Sequence, residues 1–252
     1  MSDSLVAGIE AKKAELDQLR ARSPGGTRNF DHSQDLELTY TSNAIEGNTL
    51  TAAETTLVIE QGITVGGKPL RDHLEAIDHF EAIGYVRLVA RGGERLTEMD
   101  IRQLHRLVML RSGPEIGGRH ADQGRYVLTD AGRHAFPSPA EVPALMRDLA
   151  EWLGAAPATP ATAMSAHYRL VGIHPFNDGN GRTARLLMNL VLIRGGFPPV
   201  SVRPVDRPAY IDALQAGQAG GGTEAFDHLM YERLDGTLTE YLGAAGQAPG
   251  AG

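Results

Sequence analysis

The sequence predicts an all-α fold carrying one short β-hairpin, and three observations point there. Apolar residues recur at helical spacing along most of the chain. Breaker clusters and capping pairs such as Thr51 with Glu54 divide that pattern into helix-length pieces. The stretch Gly113 to Pro139 breaks the helical pattern with glycine and proline, and within it Arg125-Tyr126-Val127-Leu128 and Arg133 to Phe136 flank a turn at Asp130-Ala131-Gly132.

Each element follows in order. Leu5, Ile9, Leu16 and Leu19 predict a helix over Ser4 to Ala21, ended by Ser23-Pro24-Gly25-Gly26. A second runs from Phe30 to Ile45 and stops at Glu46-Gly47-Asn48, where glycine and asparagine can take the left-handed conformation that closes a helix. Thr51 caps a third through Gln61, and Gly62 to Pro69 reads as a loop. Leu74, Ile77, Phe80, Ile83, Leu88 and Val89 mark a long amphipathic helix from Leu70 to Ala90. Thr97 with Asp100 opens another through Leu110. After the hairpin, helices are expected at Pro139 to Leu153, Pro160 to Tyr168, Arg182 to Arg194, Pro208 to Gln215 and Ala225 to Leu242. Gly243 to Gly252 holds only Gly, Ala, Gln and Pro and is expected to be disordered. The chain then divides into an N-terminal helix and linker over 1–35, a helical domain over 36–242 and a tail over 243–252.

Bulk properties narrow the function. The 252 residues are 42% hydrophobic, enough for a sizeable core. The formal charge of −7, with no basic recognition helix, argues against nucleic acid or an anionic membrane as partner. There is no cysteine, which excludes disulfides, thiolate metal sites and cysteine nucleophiles. Met1 to Arg20 lacks the pattern of a signal peptide, and the longest apolar run, Leu186 to Ile193, falls far short of the roughly 20 residues that span a bilayer, so the cytoplasm is the expected compartment. Arginine outnumbers lysine and Ala and Gly abound, as in a GC-rich bacterial genome.

The chemistry concentrates in His174-Pro175-Phe176-Asn177-Asp178-Gly179-Asn180-Gly181-Arg182-Thr183-Ala184-Arg185. Gly179-Asn180-Gly181 directly before a helix presents backbone N–H groups and a favourable dipole to one anion, a phosphate above all. Arg182 and Arg185, three apart, are expected to share a helix face and place guanidinium forks on phosphate oxygens. Asp178 is a hard oxygen ligand suited to Mg²⁺, with Mn²⁺ as the alternative ion. His174, whose unperturbed pKa lies near neutrality, suits removal of a proton from a hydroxyl. Base, metal ligand, cradle and arginines together specify phosphoryl or nucleotidyl transfer.

This segment resembles the signature of the Fic family, H-x-F-x-[D/E]-G-N-G-R-x-x-R, and matches every fixed position. The flanks Lys68-Pro69-Leu70-Arg71-Asp72-His73-Leu74-Glu75 and Leu186-Leu187-Met188-Asn189 are similar to the family too, so the likeness covers roughly residues 36 to 215. The resemblance implies a Fic-type helical domain that transfers AMP from ATP to Ser, Thr or Tyr hydroxyls of a target protein. Carried over by position, it implies His174 as base, Phe176 as core anchor, Asp178 as metal ligand, Asn180 and Arg182 at the α- and β-phosphates, and Arg185 at the γ-phosphate. It also implies that the hairpin is a flap pairing with an extended target segment, with Tyr126, Val127 and Leu128 as candidates for that contact. Ser42-Asn43-Ala44-Ile45-Glu46-Gly47 fits the family's inhibitory pattern [S/T]-x-x-x-E-[G/N], which implies that Glu46 pairs with Arg185 and keeps ATP from seating productively.

Several alternatives stay open at this level. Glu46 is also placed to orient a water for the reverse reaction, removal of AMP from protein, and a nucleotide sensor without transfer is the reading outside enzymes. The choice among ATP, GTP, UTP and CTP, the target (another protein or the chain itself), and monomer versus homodimer are undetermined by the residues. His105, His120, His134 and His167 fit no usual metal-ligand spacing and are expected as core or surface residues, Met109, Met146, Met164 and Met188 as core, and Arg119, Arg125 and Arg133 as substrate contacts or solvated loop residues.

Overall fold

The structure is a computed structural model and describes residues 2–23, 27–129 and 132–246. The Pro24-Gly25-Gly26 break, the Asp130-Ala131 part of the hairpin turn and residues 247–252 of the tail lie outside the described residues. The order of elements is α1 (Asp3–Arg22), α2 (Arg28–Ile45), α3 (Ala52–Gln61), α4 (Leu70–Arg91), α5 (Glu98–Val108), β1 (Tyr126–Thr129), β2 (Gly132–Ala135), α6 (Val142–Ala155), α7 (Pro160–Ile173), α8 (Asn180–Arg194), α9 (Arg207–Ala216) and α10 (Glu224–Gly246). The two strands pair antiparallel, with Tyr126 opposite Ala135 and Thr129 opposite Gly132.

The all-α expectation with one hairpin holds. Both capping pairs form: Thr51 Oγ1 accepts from the Glu54 N–H at 3.2 Å while Glu54 takes the Thr51 N–H at 2.8 Å, and Thr97 and Asp100 do the same. Gly47 leaves α2 with φ 95°, where the sequence placed its stop.

The organising element is α8. Its side chains from Arg182 to Leu192 are buried on every side, because α7, α4, α5 and α2 all pack against it. Leu186, Leu187, Leu190, Val191 and Leu192 join the main core with Leu104, Val108, Met146, Met164 and Leu170. At the outer side α1 lies along α10, fastened by Lys12 to Asp235 at 2.7 Å, and Phe30 at the start of α2 meets Tyr241 edge-on.

Boundaries moved where tertiary contacts outweighed local signals. Helix α7 runs five residues past Tyr168 to Ile173, carried by burial of Leu170, Val171 and Ile173. Helix α6 starts at Val142, because Ser138 and Pro139 form a turn that Glu141 closes onto the Ser138 N–H and hydroxyl. The first residues of the expected tail, 243–246, continue α10 beyond the buried Tyr241. A 3₁₀ turn at Pro204–Asp206 and a π-helical turn at Gly217–Gly221 had no signature in the apolar periodicity. No described helix is long and apolar enough to cross a membrane.

Candidate active site

The site is built at the junction of α7 and α8. Helix α7 closes on His174, whose φ of 51° is left-handed and is the one such value at a non-glycine among the described residues. That conformation costs roughly 1–2 kcal/mol for an L-residue and turns the chain abruptly into the loop before α8. The loop is held from beneath. Phe176 is fully buried and stacks on His105, centroids 3.7 Å apart. The Asn180 amide closes the loop on itself, accepting the Phe176 N–H at 2.9 Å and donating to the Phe176 carbonyl at 2.7 Å. The Gly118 N–H donates to His105 Nδ1 at 2.9 Å, so the ring proton sits on Nε2 and is given to the Asp178 carbonyl at 3.0 Å. Burial pushes His105 down to about 4, so it stays neutral in this role. Gly179 then takes φ 73° with Met109 Sδ and the His105 ring behind it, leaving no room for a side chain.

Above the loop opens a cavity of about 220 Å³. Val127, Phe136, Val171, Ile211 and Leu214 form its apolar wall; His174, Gly181, Arg185, Glu46, Tyr210, Gln215 and Gln218 supply the rest. Glu46, at the end of α2, reaches across it and its Oε1 accepts from Arg185 Nη2 at 2.7 Å. Arg185 also donates from Nε to Ser42 Oγ at 2.9 Å, from Nη2 to the Ser42 carbonyl at 2.9 Å and from Nη1 to the Tyr210 hydroxyl at 3.4 Å. Burial works against its charge, but Glu46 and Tyr210 more than offset this and lift its pKa above the ordinary value. With Arg185 donating to it, the Tyr210 hydroxyl passes its own proton to His167 Nε2 at 2.8 Å. A Cβ on Gly181 would collide with the Glu46 carboxylate, so the absence of a side chain there lets that carboxylate lie against the start of α8. A helix N-terminus of this kind favours negative charge, which the carboxylate supplies.

His174 faces the same cavity. Phe136 from the far end of the hairpin stacks on its ring at 3.9 Å and 11°. Burial lowers its pKa to about 4, and the Arg125 guanidinium acts in the same direction.

The other motif charges, Asp178 and Arg182, do not line this cavity. Asp178 is 47% exposed; its Oδ1 accepts the Gly179 N–H at 2.6 Å and its Oδ2 accepts from Arg71 Nη2 at 2.7 Å. Arg182 is only 2% exposed and turns to Glu75 at 3.4 Å and Met109 Sδ at 3.7 Å. Arg182 and Arg185 are thus engaged by different partners, although both stand near enough to the buried His79 to disfavour its charged form. Arg185 is drawn to α2 and α9, and Arg182 to α4 and the end of α5. Asp178 fits the demands of Mg²⁺ bound with phosphates, which asks for one or two carboxylates and keeps water for the rest of its shell. Among the described residues no three His, Cys, Asp or Glu side chains converge, so the other ligands would come from phosphate and water.

The hairpin candidates separate by alternation. Val127 points into the cavity, while Tyr126 and Leu128 project into solvent from the other face, and Arg133 lies over the Tyr126 ring at 3.9 Å. A groove of about 410 Å³ runs between the hairpin and α9, bounded by Thr129, Arg133, His134 and Asp212, and it shares Gln215 and Gln218 with the cavity. His105 and His167 are buried supports, and His134 borders this groove. Sequence reasoning missed Phe136, Tyr210 and Arg71 as neighbours of the site. Arg71 lay inside a flank already noted for its family likeness; Tyr210 carried no local signal at all.

Comparison with known proteins fits this geometry. The Fic/DOC family model matches residues 95–192. A protein adenylyltransferase Fic of Drosophila willistoni is 32% identical over 99% of this chain and 50% of its own length, and one of Nematostella vectensis is 39% identical over 81% and 48%. The chain spans about half the length of the curated relatives it matches. A crystal structure of a Fic domain containing signaling protein from Bacteroides thetaiotaomicron superposes with a TM-score of 0.87 at 30% identity, covering 97% of this chain and 99% of that one.

Proposed function

This chain belongs to the Fic/DOC family, and from that premise we propose that it is a protein adenylyltransferase that moves AMP from ATP to Ser, Thr or Tyr hydroxyls and is held inactive by Glu46. One observation carries the reading: the Glu46 carboxylate lies 2.7 Å from Arg185 in the cavity that His174 faces. The anion seat and the base thus share one chamber, and a side chain of the protein's own fills the seat.

In the reaction, the α- and β-phosphates of ATP lie over the N-terminus of α8, where Gly179, Asn180 and Gly181 present backbone N–H groups. Asn180 serves through its backbone, since its amide is committed to the loop. Arg182, packed beneath the loop, supports the same end of α8 with positive charge. Arg185 takes the γ-phosphate once Glu46 withdraws, and Ser42 and Tyr210 keep its fork oriented meanwhile. Asp178 would hold Mg²⁺ or Mn²⁺; what such an ion supplies when bound is neutralisation of charge on the leaving phosphates. His174 accepts the proton of the target hydroxyl, whose oxygen bonds to the α-phosphorus as the bond to the bridging oxygen breaks and pyrophosphate departs with the electron pair. The target segment lies along the hairpin, entering by the groove that joins the cavity at Gln215 and Gln218.

The test is transfer of label from ATP carrying it in the α-phosphate, with Mg²⁺ and a cell extract. Glu46→Gly is expected to raise labelling about ten- to a hundredfold, since a charged hydrogen-bonded pair is worth roughly 1.5–3 kcal/mol. Adding His174→Ala should lower it again by about 10²-fold or more. Nucleotide binding without label in any variant would favour the sensor, and removal of label from a modified target by the wild type would favour the hydrolase.

A further inference from the structure

We propose that Arg71 is a built-in counter-cation that occupies the seat of the divalent ion at Asp178 and must yield it for the nucleotide–metal complex to bind. The inference rests on the reading of Asp178 as the metal ligand given above.

Both carboxylate oxygens of Asp178 are already in use. Oδ1 is tied to the Gly179 N–H at 2.6 Å, a donor fixed in the backbone of the loop, and leans toward Arg182 at 3.8 Å. Oδ2 accepts from Arg71 at 2.7 Å. Arg182 is buried and cannot move aside, whereas Arg71 is 58% exposed on a long side chain. An ion approaching Asp178 from solvent therefore meets one displaceable competitor. A dication and a guanidinium on the same carboxylate repel each other, so the two occupancies exclude one another.

Arg71 is held for this task from its other side. Its Nε donates to Glu75 Oε1 at 2.9 Å, one turn along α4, and the same oxygen lies 3.4 Å from Arg182. Arg71, Glu75, Arg182 and Asp178 close a ring of alternating charge. When the ion takes Asp178, Arg71 keeps Glu75 as partner and is not left stranded. The ring also touches the inhibitory segment: Asn48, two residues past Glu46, donates its amide to Glu75 Oε2 at 3.1 Å.

The experiment titrates MgCl₂ against binding of a fluorescent, non-hydrolysable ATP analogue to the wild type and to Arg71→Gln, Arg71→Lys and Asp178→Asn. In EDTA, Arg71→Gln should bind the analogue as the wild type does. The Mg²⁺ concentration giving half of the gain in affinity should fall about two- to fivefold in Arg71→Gln, the range an exposed ion pair supplies, and the difference should shrink in high salt. Arg71→Lys, which keeps the charge, should stay near the wild type. An unmoved or higher midpoint in Arg71→Gln overturns the proposal, and so does a loss of affinity in EDTA, which would make Arg71 a phosphate ligand. If Asp178→Asn abolishes the Mg²⁺-dependent gain, the ligand assignment stands whatever Arg71 does; if the gain survives in Asp178→Asn, that assignment falls and the counter-cation with it.

Discussion

His174 is kept neutral by its surroundings. A base must be unprotonated to act, and burial under Phe136 lowers this histidine to about 4, so the free base prevails through the physiological range. The sign follows: activity that needs neutral imidazole rises with pH through the pKa and is lost below it. In a Glu46→Gly background, transfer should hold its rate well below pH 6. Phe136→Ala removes the stacked ring, admits water to the imidazole and should move the acid limb toward higher pH, as read from the pH profile of kcat/KM. An unmoved limb would mean that Phe136 does not shield the base. At this scale the motif was legible because its residues are contiguous and their types unusual. Phe136 was read only as part of a strand, since stacking across 38 residues leaves no trace in local spacing.

The element that governs Glu46 is the short connection from α2 to α3, and the flank Lys68 to Glu75 explains itself as its clamp. Asp72 Oδ2 accepts both the Thr49 N–H at 2.7 Å and the Thr49 hydroxyl at 2.6 Å; Asn48 donates to the Asp72 carbonyl at 3.0 Å, and Lys68 reaches the Thr49 carbonyl. His73 accepts the Val65 N–H at 2.9 Å and pins the loop before α4. Loosening this clamp should let Glu46 leave Arg185 more often. Asp72→Ala is expected to raise basal labelling about fivefold, from roughly 1 kcal/mol of lost hydrogen bonding. The same change added to Glu46→Gly should produce no further rise, because the two act through one contact. Equal stimulation in both backgrounds would show that Asp72 acts elsewhere. The helices themselves were legible from caps and periodicity, but the ends of α7 and α10 were not, since burial of Ile173 and Tyr241 prolongs helices whose local residues are indifferent.

Across the whole molecule, three fully buried histidines couple stability to pH. Burial holds His105 at about 4, His167 at about 3 and His79 well below its ordinary value, whereas all three titrate near 6.5 once unfolded. The unfolded chain therefore binds protons that the folded one refuses, and stability falls as pH drops from about 6.5 toward 4, by about 1 kcal/mol per pH unit for each histidine. Urea unfolding between pH 7 and 4.5 should show this decline. His167→Gln should flatten it in part, and a pH-independent midpoint would contradict the assignment of these rings as neutral.

What the sequence by itself determined is local: the helices, the hairpin, the glycine loop before α8 and a set of residue types suited to a phosphate. Each depends on neighbours a few positions apart, through capping, steric freedom and helical repeat. The pairing of Glu46 with Arg185 was implied by family resemblance, and only the fold brings these residues together, 139 positions apart. The pairing of Arg71 with Asp178, 107 positions apart, and the separate partners of Arg182 and Arg185 belonged to the tertiary structure alone. A charge chooses among partners by distance in space, and where several carboxylates compete for a few guanidinium groups, that choice is made only when the helices carrying them have packed.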